Sequence, residues 1–296
     1  MDQQAISHLA SGFLQCKKLQ KLSLDFAYCK IDAKSLQDLG AFLFQSKNLV
    51  KLQLELRQNC LKDKGASSLG TYLSGCLNLN DLTIHLVNNK ICRKGFIQLI
   101  QGIKCCKQIK QLSLELRQNF INYGDVSEFQ YLFCDMESLQ ILTLGLSKNQ
   151  ITPEGIKNLT KSLISCASLK KLALDLIGNQ IGPQGTQSLS VNLSECCKLE
   201  YLMLWLNENQ IKAQGAQYLA SQFSMFQHLQ HLQIWLGWNQ IGNQEVICLG
   251  KGLRKLKQLK TLIFMFRYNN IFKENSILLA RNLKKIIRLV KLNYDL

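Results

Sequence analysis

Proline is almost missing from this chain, which has two prolines and 18 glycines among 296 residues. So few turn-forming and linker-forming residues exclude a collagen-like or linker-rich protein. No stretch of about 18 uncharged apolar residues occurs, so we expect no membrane span. The first four residues carry no lysine or arginine, which is not typical of a secretory signal. We therefore expect a cytoplasmic protein, with the cilium and the cytoskeleton as open alternatives.

The sequence is instead dominated by one unit, repeated without interruption. Ten apolar residues are spaced thirty apart: Leu19, Leu49, Leu79, Ile109, Leu139, Leu169, Leu199, Leu229, Leu259 and Leu289. If each is counted as position 1, positions 4, 6, 8 and 13 are apolar, and position 11 is asparagine from the second to the ninth repeat. Because the phase never slips, we expect a single domain over residues 1–296, with about nine repeats and partial units at both ends. Either a partner or a longer chain would then cover those ends.

The apolar spacing changes within each repeat. In the second repeat Leu52, Leu54 and Leu56 are two apart, whereas Leu69 and Leu73 are four apart. Spacing of two predicts a strand, and spacing of three or four predicts a helix. Stacked strand–helix units bury a continuous core, so we predict an α/β right-handed solenoid. It would be a horseshoe with a parallel concave sheet and convex helices.

The second repeat reads Leu49-x-x-Leu52-x-Leu54-x-Leu56-x-x-Asn59-x-Leu61-x-x-x-Gly65-x-x-x-Leu69-x-x-x-Leu73. This pattern resembles the leucine-rich repeat of the ribonuclease-inhibitor-like class, and the resemblance covers almost the whole chain. An extra x-Leu pair stands before the asparagine, which looks like the thirty-residue variant common in ciliated protists. The resemblance implies the horseshoe fold.

Position 11 is asparagine in eight consecutive repeats, which we call the asparagine ladder: Asn59, Asn89, Asn119, Asn149, Asn179, Asn209, Asn239 and Asn269. Where a strand bends toward the convex side, backbone groups lose their partners. A buried amide can satisfy them as donor and acceptor. Cys29 has this position in the first repeat, and a thiol is a weaker partner.

The twelve cysteines form no Cys-x-x-Cys spacing, which excludes the common zinc-ribbon and thioredoxin motifs. Without a secretory signal they indicate reduced thiols, and we expect no disulfides, no metal and no cofactor. Five exchange with large apolar residues at one repeat position, which indicates small buried hydrophobes: Cys16, Cys76, Cys106, Cys166 and Cys196.

Side chains at positions 5, 7 and 9 should point away from the core, onto the concave face. In the first repeats these positions are charged, with Glu55, His85 and Glu115 in one column and Arg57 and Arg117 in another. A carboxylate–imidazole–carboxylate row could hold a metal or act in acid–base catalysis. Because an open sheet lacks the enclosed pocket that catalysis needs, we expect a solvated charge lattice and no enzyme.

The last concave strands are aromatic and include all three tryptophans of the chain. Contiguous exposed aromatic surface is typical of a binding site, although it could also stabilise a long sheet. We predict that a protein partner docks on these side chains, the aromatic patch: Tyr201, Met203, Trp205, His231, Trp235, Trp238, Met265 and Tyr268.

Basic residues outnumber acidic ones by 36 to 20. The segment from Lys251 to Leu296 contains twelve lysines and arginines but only two acidic residues. Such a segment favours an acidic protein or nucleic acid, although a solvated helix face has the same composition. The candidate basic patch comprises Lys251, Arg254, Lys255, Lys257, Arg281, Lys284, Lys285 and Arg288.

Three functions are open. The leading one is a non-enzymatic interaction module or scaffold that binds a protein partner on its concave face, within a larger assembly. The second is an RNA or ribonucleoprotein-associated component that uses the basic patch. The third is regulation of a small GTPase, because the repeat class resembles that of Ran GTPase-activating proteins, although a fold alone does not decide a function.

Overall fold

The computed structural model describes residues 3–121, 127–269, 271–284 and 291–295. Ten parallel five-residue strands form one sheet in chain order, each in register with the residues thirty positions further on. The strands are β1 (Lys21–Asp25), β2 (Lys51–Glu55), β3 (Asp81–His85), β4 (Gln111–Glu115), β5 (Ile141–Gly145), β6 (Lys171–Asp175), β7 (Tyr201–Trp205), β8 (His231–Trp235), β9 (Thr261–Met265) and β10 (Lys291–Asp295). The predicted α/β leucine-rich-repeat solenoid is confirmed.

Helices alternate with the strands. They are α1 (Gln3–Leu14), α2 (Leu36–Gln45), α3 (Lys62–Leu73), α4 (Arg93–Ile103), α5 (Pro153–Leu163), α6 (Gly182–Ser194), α7 (Lys212–Gln222), α8 (Asn243–Leu253) and α9 (Lys273–Lys284). Between β4 and β5 the described residues contain a short 3-10 helix, Ser127–Tyr131, and a second one, Phe223–Met225, follows α7. Among the described residues, no helix has both the length and the apolar character to span a bilayer.

The core lies between the sheet and the helices, and it is filled by the residues that the period predicts. In the fourth repeat Leu112, Leu114, Leu116 and Ile121 are at most 1% exposed. Neighbouring repeats approach closely at a glycine in the first turn of a helix. A Cβ on Gly95, for example, would lie 2.6 Å from Cα of Asp63 in the preceding repeat.

The asparagine ladder joins consecutive repeats. Asn119 Nδ2 donates to the carbonyls of Leu86 (2.9 Å) and Leu116 (2.8 Å), and its Oδ1 accepts from the N–H of Ile91 (2.9 Å). Each amide therefore satisfies backbone groups of two coils at the end of a strand. The first seven ladder residues are buried, and the last, Asn269, is half-buried.

Four cysteines form a second ladder, here called the thiol ladder: Cys76, Cys106, Cys166 and Cys196. The Sγ of each donates to a carbonyl of the preceding repeat, at 3.1 to 3.8 Å. Burial raises the pKa of each thiol to about 12. The prediction that Cys16 belongs to this ladder is wrong, because Cys16 is exposed. Its Sγ donates to the carbonyl of Gly12 in α1 at 3.7 Å, within its own coil, whereas the four ladder thiols donate to the preceding repeat.

Candidate binding surface

Carboxylates on the first half of the concave face are paired within the sheet. Glu55 contacts Nδ1 of His85, and its other oxygen lies 2.5 Å from Nη2 of Arg57. Glu115 Oε2 lies 2.9 Å from Nε of Arg117. Among the described residues, no group of three or more His, Cys, Asp or Glu side chains is arranged to hold a metal. The geometry is that of a charge lattice.

That lattice is less solvated than predicted. Glu55 is only 7% exposed, because Arg57 and His85 cover it. The side chains of Glu115 and Asp175 are 17% and 16% exposed, against 48% for Arg117. The carboxylates therefore lie beneath the arginines rather than in bulk water, and the expectation of a solvated lattice is wrong for them.

The column at position 7 has a gap in its middle. Glu115, Gly145 and Asp175 are direct neighbours in the sheet register, and Gly145 has no side chain to fill its place. A Cβ there would collide with Oε2 of Glu115, so the Glu115 carboxylate lies over the glycine. Beside the Glu115 carboxylate lies a pocket of about 280 Å³, here called the Gly145 pocket because the missing side chain of Gly145 lets Glu115 lean across β5. Seven residues line it: Glu115, Arg117, Thr143, Leu144, Asp175, Ile177 and Trp205.

The Gly145 pocket contains two carboxylates and one arginine. Arg117 is close to Glu115 but its Nη1 lies 3.9 Å from Oδ2 of Asp175. Burial raises the pKa of Glu115, although Arg117 and His85 oppose the rise. Burial likewise raises the pKa of Asp175, although the N–H of Ile177 donates to its Oδ1 at 3.2 Å. The desolvation of these carboxylates is thus not fully compensated inside the protein.

The tryptophans on β7 and β8 form a stack across the sheet. Trp205 and Trp235 are register neighbours, with ring centroids 5.1 Å apart and ring planes inclined by 16°. Met265 continues the same column on β9. All three side chains are half-buried. The sequence placed the two tryptophans in an exposed column, but it did not reveal that each ring covers part of the other.

A second aromatic stack lies at the ends of the same strands. The rings of Trp238 and Tyr268 are 4.3 Å apart and inclined by 18°. These two side chains are 57% and 65% exposed. They stand at position 10, where the backbone is left-handed in both (φ 59°).

The left-handed backbone at position 10 is a property of the repeat. Asn88 and Gly178 occupy the same position with φ of 53° and 66°. Left-handed backbone costs a residue with a Cβ about 1–2 kcal/mol, least for asparagine and nothing for glycine. Bulky aromatic residues at Trp238 and Tyr268 are therefore not a response to the local backbone.

The remaining predicted patch residues surround the first stack. The rings of Tyr201 and His231 are 5.7 Å apart, and Gln233 Nε2 donates to Oη of Tyr201. His231 Nδ1 lies 2.8 Å from Oγ1 of Thr261. Burial raises the pKa of Tyr201, while the hydrogen bond from Gln233 lowers it in part. Met203 is half-buried beside them. All eight predicted patch residues thus lie on β7–β9 or in the turns that follow β8 and β9.

The basic patch is only partly within the described residues. Four of its members are exposed at the end of α8 or in the turn before β9: Lys251, Arg254, Lys255 and Lys257. Arg281 is exposed on α9, and Lys284 ends that helix. Lys285 and Arg288 lie outside the described residues. The first four have no ion-pair partner among the side chains that the structure describes.

Sequence reasoning missed two features. Phe272 is 69% exposed and stands at a repeat position that is charged or polar in several other repeats, such as Lys62 and Lys212. The Gly145 pocket was missed because the single glycine at position 7 was not related to the side chains beside it. In both cases the available signal was a residue type that differs from the others at the same repeat position.

Family comparison agrees with this architecture. The family described as Leucine Rich repeat matches residues 49–70 and 140–159. These segments run from β2 into α3 and from β5 into α5. No curated protein matches the chain. With ten parallel strands alternating with helices among the described residues, the chain has the fold of a leucine-rich-repeat solenoid. Domains with this fold are generally protein-interaction modules.

Proposed function

We propose that this protein is a non-enzymatic interaction module that binds a protein partner on its concave face, with the aromatic patch at the centre of the contact. One observation carries the proposal: two aromatic stacks, Trp205 on Trp235 and Trp238 on Tyr268, lie on adjacent coils and keep exposed ring surface. Aromatic anchors of this kind dominate binding energy in protein interfaces.

The stacks are suited to binding because their geometry is already set. A tryptophan or tyrosine ring removes about 150–250 Å² from water when buried. Rings held by neighbours lose little rotational freedom when a partner arrives, so more of that gain remains as affinity. A purely structural role would leave no reason for Trp238 and Tyr268, which are mostly in water.

The proposal is tested by truncating the first stack. Trp205→Ala and Trp235→Ala should each weaken the partner complex by about 2–4 kcal/mol, which is roughly 30- to 1,000-fold. The partner is first identified by affinity purification from the native cell and mass spectrometry, and its affinity for each variant is then measured. Each variant loses a stack worth about 0.5–1.5 kcal/mol, so thermal melting should stay near native. Normal binding by both variants, or unfolding of both, would show that the patch is structural.

A second function is supported by the basic patch, whose members Arg254, Lys255 and Lys257 are exposed together. We propose that these side chains contact a polyanion, such as RNA or an acidic protein. Binding should then weaken with salt, with a slope of about 0.9 in log units for each nucleic-acid phosphate neutralised. Reversal of all three charges to glutamate should reduce that slope by roughly three. A salt-insensitive affinity would contradict this function.

The third function, regulation of a small GTPase, is supported only by the likeness of the repeat scaffold. A scaffold does not determine function, and we do not propose this role.

A further inference from the structure

The Gly145 pocket adjoins the aromatic patch. Along position 7 the sheet register runs from Gly145 to Asp175 and then to Trp205. Neighbouring strands are about 4.8 Å apart, so the gap lies about 10 Å from Trp205. Trp205 belongs both to the first aromatic stack and to the lining of the pocket. A partner that covers the patch therefore reaches the pocket without leaving the concave face.

The size of the pocket limits what can enter it. At about 280 Å³ it is just below the 300–1,000 Å³ of sites that enclose a small molecule. Its lining residues belong to β4–β7 or directly follow these strands, so it lies on the concave side of the sheet. One amino-acid side chain of the partner is a better match for this volume than a separate ligand or cofactor.

The charges in the pocket select the chemistry of that side chain. Glu115 and Asp175 are two half-buried carboxylates that share Arg117. The contact with Asp175 is the looser one, at 3.9 Å. A second positive charge would balance the two carboxylates. Trp205, which lines the pocket, also attracts a positive charge, because a cation within about 6 Å of an indole ring interacts favourably with its face.

We propose that the Gly145 pocket binds one cationic side chain, arginine or lysine, of the protein partner that docks on the aromatic patch. This assignment rests on the proposed function. Asp175 supplies the main charge contact, Trp205 supplies the face on which the cation lies, and Glu115, which leans over Gly145, supplies the second negative charge. The pocket would then require a basic residue at one place in the partner, next to the segment that covers the tryptophans.

Small probes test the pocket without the partner. The chain has three tryptophans, so labelling with 5-fluorotryptophan gives three fluorine resonances, and Trp205→Phe identifies one of them. N-acetyl-arginine methylamide and its lysine counterpart are titrated as the cationic probes. N-acetyl-citrulline methylamide has nearly the same shape as the arginine probe but no charge. We expect the Trp205 resonance to shift saturably with the cations, with a Kd in the millimolar range, and citrulline to bind at least about tenfold more weakly.

Two variants test the assignment, and one serves as a matched control. Gly145→Ala displaces the Glu115 carboxylate, which lies where the new Cβ would be, and so disturbs one charge of the pocket. The displaced group is the flexible end of a side chain, so the strand should remain intact. Asp175→Asn removes the main charge contact while keeping the shape. Both should weaken the cationic probes by about tenfold or more. Asp25→Asn, in the same column but exposed on β1, should have no effect. Melting curves confirm that each variant is folded.

The results separate this proposal from the one on which it rests. Equal shifts by citrulline, unchanged binding in Gly145→Ala and Asp175→Asn, or no shift at Trp205 would each overturn the cation pocket. A lysine probe that binds and an arginine probe that does not would assign the pocket to lysine, and the reverse would assign it to arginine. If the cationic probes bind as expected but the partner is indifferent to Trp235→Ala, the pocket stands and the proposed docking site fails.

Discussion

The two halves of the concave face share one frame and differ only in what that frame presents. Leu114 and Asn119 in the fourth repeat have the same positions, burial and backbone hydrogen bonds as Leu204 and Asn209 in the seventh. Between these core positions, β1–β6 present carboxylates and arginines, whereas β7–β9 present stacked aromatic rings. The fold therefore does not require either set of concave side chains. The difference between the two halves indicates a difference in function.

The halves also differ in how far their side chains satisfy one another. In the charged half, Glu55 and Glu115 have cationic partners on their own or the next strand. In the aromatic half, the rings of Trp238 and Tyr268 stack on each other and remain mostly in water. The Gly145 pocket lies where the two halves meet, and its lining contains carboxylates of the charged half and Trp205 of the aromatic half.

The thiol ladder belongs to the earlier repeats, and its chemistry should differ most from that of exposed cysteines. With a pKa of about 12 against an ordinary 9.0, the thiolate fraction of Cys106 at neutral pH falls by about 1,000-fold. Native protein should therefore be labelled by a thiol reagent at exposed sites such as Cys60 and Cys197, while the ladder reacts only after unfolding. Mass spectrometry of labelled peptides measures this. Rapid native labelling of Cys106 or Cys166 would contradict the ladder.

The asparagine ladder should be equally important in both halves. Asn119→Ala leaves the carbonyls of Leu86 and Leu116 without that donor, and we expect a loss of about 3–5 kcal/mol in the free energy of unfolding. Asn209→Ala should cost a similar amount, since its amide makes the same contacts. Asn80→Ala, at half-buried position 2 with ordinary backbone, is the control and should cost less than about 1 kcal/mol. Denaturant titration gives these values, and a large difference between the first two variants would show that the frames are not equivalent.

The second aromatic stack should affect binding and not folding. The double variant Trp238→Asn, Tyr268→Asn uses a residue that the chain itself has at this position, Asn88, with the same left-handed backbone. We expect the partner to bind roughly 10- to 100-fold more weakly, with a melting temperature at or slightly above that of the native protein. Tyr28→Asn is the matched control, because Tyr28 is 70% exposed at position 10 of the first repeat. Equal loss of binding in the control would remove the distinction between the halves.

The smallest effect concerns Asp175 and the pH. Its pKa is raised above the ordinary 3.8 by burial, so the folded state holds this proton more tightly than the unfolded chain. Stability contributed in this way is lost as the pH rises from about 3.8 through the raised pKa. Asp175→Asn should therefore raise the unfolding midpoint at pH 7 and flatten this part of the pH profile. A lower midpoint at pH 7 would show that Asp175 stabilises the fold.

The repeat period predicted the strands and the buried positions because each of them packs against the equivalent residue thirty positions away, in the next repeat. It predicted strands, buried positions and the face on which Trp205 and Trp235 lie. It could not predict how far a long side chain leans. The Glu115 carboxylate lies over Gly145 because that column position is empty, and Glu55 is buried because Arg57 and His85 close over it. Such arrangements depend on several strands at once.

Fluorine NMR tests most directly whether a partner binds the aromatic half of the concave face. All three tryptophans belong to the aromatic patch, so a 5-fluorotryptophan-labelled chain reports this surface alone. On titration with the purified partner, we expect the resonances of Trp205, Trp235 and Trp238 all to shift and to saturate together with complex formation. Docking on the aromatic patch would be contradicted if sedimentation shows that the complex forms while the three resonances stay unchanged.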